Sequence, residues 1–225
     1  MKNGITELVF ILDKSGSMAN MVKDTIGGFN SMIEKQKTEE GKAYVSTILF
    51  STTSTVLHDR KDVREIEPIT ERDYFVGGGT ALLDAIGRAI CHIGNVHKYA
   101  RAEDVPEKTI FVITTDGMEN ASREFTSVKV KEMIERQKEK YGWEFLFVAA
   151  NIDAVETAES IGIRRDRAAN YSAECGTPVM YQELNHTLRD FRRSGKISKG
   201  WQSGIEDTIS APITPKTASK PDENK

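Results

Sequence analysis

Over its first forty residues the chain moves from an unbroken apolar run to a spaced one. Residues 8–12 (Leu-Val-Phe-Ile-Leu) have no polar break, as expected of a strand buried on both faces in a parallel sheet covered by helices. The run stops at Asp13, and Ser15 and Ser17 follow in the turn. Met21, Val22, Ile26, Phe29, Met32 and Ile33 then recur every three to four residues, which predicts a helix with one apolar face ending before Gly41. Gly27 and Gly28 lie inside it and are read as a point of close packing on the sheet.

Residues 44–50 are read as the next strand. Residues 51–54 are too short to cross over a sheet, so 55–58 should return antiparallel as a hairpin. Residues 60–74 are charged and irregular and predict a surface connection. Gly77-Gly78-Gly79-Thr80 then leads into Leu82, Leu83, Ile86, Ile90 and Ile93 at helical spacing, which puts Thr80 at a helix N-terminus. A buried strand over 109–115 ends at Asp116-Gly117. A helix over about 126–141 carries Val130, Met133, Ile134 and Gln137 on one side, and a strand over 143–150 follows. Asp153 and Glu156 open a short helix stopped by Gly162, and 168–172 is read as a last edge strand. Thr177-Pro178 should cap a final helix with Tyr181, Leu184, Leu188 and Phe191 inward. From about residue 209 the Pro, Ser, Thr and Lys content predicts a disordered tail. The expected architecture is a three-layer, doubly wound α/β domain. Its central sheet is mostly parallel with one antiparallel edge strand and has helices on both faces. The domain should span residues 1–195, with 196–225 as an extension.

Composition narrows the function without naming it. A chain of 225 residues suits one such domain, and its 31 basic against 34 acidic residues give a net charge of -3. That balance argues against nucleic acid as a partner, and the apolar runs are too short for a membrane span. The N-terminus enters the first strand without a charged-then-apolar leader, and Cys91 and Cys175 are expected as small buried hydrophobes. A cytoplasmic protein is the resulting expectation.

Chemistry gathers at strand ends and helix starts. Asp13, Ser15, Ser17, Thr80 and Asp116 all occupy such positions, where open α/β sheets form their binding sites. Carboxylates and hydroxyls without neighbouring His or Cys are hard ligands, suited to Mg2+, Mn2+ or Ca2+ and not to Zn2+. Taken singly, Asp13 or Ser15 could simply cap a helix and Asp116 begin a turn.

Together these positions resemble a von Willebrand factor type A (vWA) domain with an intact metal-ion-dependent adhesion site, of the intracellular, single-domain type. Asp13-Lys14-Ser15-Gly16-Ser17 matches the D-x-S-x-S motif, Thr80 the threonine loop, and Asp116 in Ile-Thr-Thr-Asp-Gly the second aspartate. The resemblance spans residues 5–191. It implies a Rossmann-like fold in which Ser15, Ser17 and, in the ligand-bound state, Thr80 coordinate Mg2+ (or Mn2+, less readily Ca2+). Asp13 and Asp116 act through water. It further implies an adaptor that recruits an Asp or Glu carboxylate of a partner protein, in some members within assemblies containing AAA+ ATPases.

The competing class is an Mg-dependent hydrolase or phosphatase-like enzyme using the same Asp/Ser cluster. A haloacid-dehalogenase site needs a second acid where Ser15 stands, and no Walker loop, dinucleotide fingerprint or G-x-S-x-G elbow occurs. His58, His92, His97 and His186 are scattered, so no nucleophile–base pair is identifiable and a non-enzymatic protein is expected. The Arg164–Arg167 and Arg189–Arg193 clusters read as solvated faces, and Met18 and Met118 as an apolar rim. Glu119 and Asn120 either orient the site or lie on its surface.

Overall fold

The computed structural model describes residues 4–210. The apolar run 8–12 lies in β1 (Thr6–Asp13), buried along its whole length. It pairs in parallel with β2 (Ala43–Phe50) on one side and β4 (Lys108–Thr115) on the other. The sheet continues through β5 (Glu144–Ala149) to β6 (Ala168–Asn170), both parallel, while β3 (Ser54–Asp62) pairs antiparallel with β2 at the opposite edge. The resulting order is β3-β2-β1-β4-β5-β6, a six-stranded sheet with one antiparallel edge strand. The hairpin argument therefore holds, with a returning strand longer than the expected 55–58.

Strand alternation divides the core in two. Leu8, Phe10 and Leu12 join the cluster beneath α1 (Val22–Lys37) and α5 (Thr177–Ser194). Val9 and Ile11 face α2 (Leu82–Tyr99), α3 (Ser127–Tyr141) and α4 (Ala154–Ser160). Each fully buried aromatic, such as Phe10 edge-on to Phe29 at 5.4 Å, is worth roughly 2–3 kcal/mol of apolar burial.

Several expectations change on contact with the packing. The close approach at Gly28 is to α5 and not to the sheet: a Cβ there would lie 2.3 Å from Tyr181 Cδ2, while one at Gly27 meets nothing within 4 Å. Thr177 does not cap α5; Gly176 holds that position, and the Thr177 hydroxyl is buried without a partner. Nor is α5 the final helix. Ile197, Trp201 and Ile205 join the α1/α5 cluster, and α6 (Ser203–Ser210) packs beside β6. Trp201 Nε1 donates to Asp166 O at 2.9 Å, and Ser172 N donates to Thr208 Oγ1 at 3.1 Å. The packed body thus continues past residue 195, where Gly195 only closes α5 in a left-handed conformation (φ 69°). Of the expected tail, residues 209 and 210 end α6 and the rest lies outside the described residues.

Arg192 is buried and not on a solvated face. Its guanidinium donates to the carbonyls of Gln36 (2.6 Å), Glu39, Glu40 and Gly41 (3.1–3.3 Å), closing the C-terminal end of α1. Both cysteines are exposed free thiols, contrary to the expectation of burial. Residues 60–74 are only partly a surface connection, because Ile66, Ile69 and Tyr74 are buried in the core.

Candidate metal centre

β1 is followed by a crossover to β2 on one side, and the chain later reaches β4 on the other, so the loops after β1 and β4 diverge at the topological switch point of the sheet. Asp13 ends β1 and Asp116 follows β4, so the two carboxylates flank that crevice. The glycine loop completes it. Gly16 N donates to Gly78 O at 3.1 Å and Gly77 N to Lys14 O at 2.9 Å, clipping residues 77–80 onto the D-x-S-x-S turn. Only glycine suits position 78: its φ is 79°, and a Cβ would stand 2.6 Å from Thr52 Oγ1.

Hydrogen bonds join most of the expected oxygens directly. Ser15 N donates to Asp13 Oδ1 at 2.7 Å, the Ser15 and Ser17 hydroxyls are 2.9 Å apart, and Ser17 Oγ donates to Asp116 Oδ1 at 2.5 Å. Thr80 enters through Gly117, where a Cβ would lie 3.1 Å from Ser17 Oγ and 3.3 Å from Thr80 Oγ1. The missing side chain of Gly117 is therefore what leaves those two hydroxyls a shared open space. Asp13, Ser15, Thr80 and Asp116 are buried, whereas Ser17 is exposed and opens the cluster to solvent. All five residues converge.

The electrostatics favour a cation. Burial pushes the Asp13 carboxyl above its ordinary value, against hydrogen bonds from Thr115 and Ser15 that pull it down. Burial also raises Asp116, with the negative charge of Asp13 adding to it and the Ser17 hydroxyl opposing it. Two buried carboxylates that resist ionisation become fully charged most easily when a cation compensates them. Among the described residues no group of three or more His, Cys, Asp or Glu side chains is placed to hold a metal ion. The donor set is two carboxylates and three hydroxyls, and it fits a hard divalent ion.

Sequence reasoning missed Tyr74, Thr115 and Asp84 among the groups that hold the candidate residues, and left Glu119 and Asn120 open. Tyr74, buried in the loop between β3 and α2, donates its hydroxyl to Asp13 O, and burial raises its phenol. Thr115 Oγ1 donates to Asp13 Oδ2 at 2.5 Å. Asn120 Oδ1 accepts from Thr80 N at 2.8 Å, so of the two alternatives it holds the threonine loop rather than lying free on the surface. Glu119 instead accepts from Leu83 N, Ala121 N and Ser122 N (2.8–2.9 Å), bracing the start of α2. Asp84 accepts from the N–H groups of Arg123, Glu124 and Phe125, each at 2.9 Å, and so fixes the loop after Asp116 to α2. Of the two methionines expected as a rim, Met18 is 2% exposed and belongs to the core, while Met118 is 74% exposed. Phe75, beside Tyr74, is 77% exposed.

No family model matches the chain, and no curated protein matches it. Solved structures do. The vWF domain of the type V pilus tip protein Mfa5 from Porphyromonas gingivalis aligns at TM-score 0.60 and 10% identity, over 86% of this chain and 98% of that one. Mussel byssus proximal thread matrix protein 1, with a zinc-occupied MIDAS motif, aligns at 0.54 and 13%, over 85% and 46%. Manganese-loaded Plasmodium vivax TRAP aligns at 0.52 and 14%, over 77% and 71%. The chain spans 46% of the byssus protein it matches. At these identities the likeness is one of fold, and it agrees with the strand order and the single antiparallel edge strand: the chain has the fold of a von Willebrand factor type A domain.

Proposed function

We propose that this protein binds a divalent cation, Mg2+ or Mn2+, at Asp13, Ser15, Ser17, Thr80 and Asp116, and through it recruits an Asp or Glu carboxylate of a partner protein. The observation that carries the reading is the convergence of oxygens from three separated loops onto the space beside Gly117. Ser15, Ser17 and Thr80 are the proposed direct ligands. Asp116 accepts the Ser17 hydrogen, so Ser15 donates to Ser17 and one lone pair of the Ser17 hydroxyl is left for the ion. Asp13 fixes the turn through Ser15 N and is itself held by Thr115 and Tyr74. A bound divalent ion supplies a Lewis-acidic position open to a carboxylate oxygen. The exposed Phe75 and Met118 lie on the loops that carry Thr80 and Asp116, and they favour a partner with an apolar residue beside its acid.

Binding is favoured over hydrolysis because the histidines are engaged elsewhere: His58 with Thr47, His92 with Asp59, His97 with Glu7 and His186 with Glu183. We read the setting as cytoplasmic. Two exposed free thiols suit a reducing compartment, and no helix among the described residues is long and apolar enough to cross a membrane. Association with an AAA+ assembly rests on the family resemblance alone.

The test is calorimetric titration of chelator-stripped protein with Mg2+ and Mn2+, wild type beside Ser15→Ala/Ser17→Ala. Saturable one-site binding, lost in the double variant, is expected. Partner capture from lysate should then disappear with chelator. Equal metal binding by both proteins would overturn the ligand assignment.

A further inference from the structure

A groove of about 550 Å3 runs between α2 and α3, from Phe125 and Lys129 near the start of α3 to the end of the sheet away from Asp116. Val105 and Pro106 line it just before β4, and Trp143 just before β5. Asp116 follows the far end of β4, so at ~3.3 Å per residue the Val105 and Pro106 end of the groove lies on the order of 30 Å from it. The volume is that of a small-molecule pocket. Its apolar surface comes from Phe125, Met133 and Tyr141 over a floor of the buried Ile90 and Trp143, whose indole stacks on Phe111 at 5.2 Å.

Its charge has one sign. Lys98, Lys129 and Arg136 line the groove beside His97, and no carboxylate does. Lys129 lies 3.3 Å from the exposed Glu132. His97 is anchored from behind, its Nε2 3.3 Å from the fully buried Glu7, which also accepts from Arg60 Nε at 2.8 Å. Gln137 also lines the groove, as its one neutral side-chain amide besides Asn95. Gly94 borders the groove on the α2 side: a Cβ there would reach Gln137 Nε2 (3.9 Å) and Trp143 Cη2 (4.0 Å) at ordinary contact distance, so a longer side chain would extend into the space.

From this combination we infer that the α2/α3 groove is a second, metal-independent binding site for a small aromatic carboxylate. The ring lies against Trp143 and Met133, and the carboxylate faces Lys98 and Arg136. An apolar pocket alone would accept any hydrophobe; the cationic mouth selects the anion.

The probe is 2-naphthoate, titrated calorimetrically into the full chain in the presence of chelator, with uncharged 2-naphthamide beside it. Submillimolar one-site binding is expected, with the amide about tenfold weaker, since a few partly exposed ion pairs together supply about that factor. Gly94→Leu, which fills the groove, should abolish binding, and Arg136→Glu, an exposed position, should weaken it several-fold. In a Cys175→Ser background, 2-naphthoate should slow alkylation of Cys91, which lines the groove. Circular dichroism confirms that each variant is folded. No saturable binding, equal affinity for the amide, unchanged binding by Gly94→Leu, or an unprotected Cys91 would each overturn the assignment.

Discussion

Gly117→Ala separates the metal site from the scaffold more cleanly than removal of any ligand. The new Cβ would stand 3.1 Å from Ser17 Oγ and 3.3 Å from Thr80 Oγ1, so both hydroxyls must give by a few tenths of an ångström. Gly117 is not among the positive-φ glycines, so alanine adopts its backbone without strain. Reduced freedom of the unfolded chain then contributes about 0.4–1 kcal/mol in favour of folding. For a domain of this size a kilocalorie moves Tm by roughly 2–4 °C, so the metal-free variant should melt at, or up to about 4 °C above, the wild-type temperature. Metal affinity should move the other way. Mg2+ tolerates little departure from octahedral geometry, and comparable disturbances of groups around a metal cost about 10–100-fold in affinity. Melting curves in chelator and calorimetric titration with Mg2+ and Mn2+ read the two effects independently. Unchanged metal affinity would show that the ion does not use the space between Ser17 and Thr80. A metal-free Tm lowered by several degrees would show that the space is ordinary packing.

Three further outcomes follow from neighbouring contacts. Burial raises the Asp13 carboxyl, so the metal-free folded state holds protons that the unfolded state has released; stability should fall as pH rises from the ordinary carboxylate value near 3.8. Asp13→Asn should flatten that slope in melts with chelator and abolish stabilisation by added Mg2+; an unchanged slope would mean Asp13 does not carry it. For Asp84, burial opposes ionisation but the three backbone N–H groups together outweigh it and lower the carboxyl, so its contribution is full above the ordinary value and lost as pH falls through the folded one. Asp84→Ala should cost about 2–4 kcal/mol in urea unfolding at neutral pH, a figure reduced for its partial exposure, with the penalty shrinking in acid. Arg192→Met should cost about 3 kcal/mol by leaving the carbonyls at the end of α1 unpaired. Arg192→Lys should recover little of it, because an ammonium cannot span those acceptors as the planar guanidinium does.

What could be read from the sequence was what neighbouring residues determine. An apolar run that ends in Asp marks a strand end whatever the rest of the chain does, and Asp13 and Asp116 both announced themselves that way. The groups supporting them are placed by contacts distant in sequence. Tyr74 sits in a stretch dense with charge, and nearby Ile69 is clamped by both ends of the Asn30 side-chain amide on α1, its NH2 donating to Ile69 O and its Oδ1 accepting from Ile69 N. Nothing local to residues 60–74 encodes that clamp. Two other misses did have a signal. Leu184, Leu188 and Arg192 share one helical ridge, which puts Arg192 inward with the leucines. Ile197, Trp201 and Ile205 recur every fourth residue, enough to extend the body past residue 195.

The difference has a functional consequence. Ligand positions alone say which ion could be held, because hydroxyls and carboxylates have the same hardness in any fold. How firmly the turn holds its shape depends on Tyr74, Thr115 and Asn120, which reach it from elsewhere in the chain and fix backbone and carboxylate atoms rather than the ion. A chain that kept Asp13, Ser15, Ser17, Thr80 and Asp116 but lost those three would still match the motif and would bind metal poorly. On the proposed function, the motif supplies the chemistry of this site and the non-local contacts set its strength.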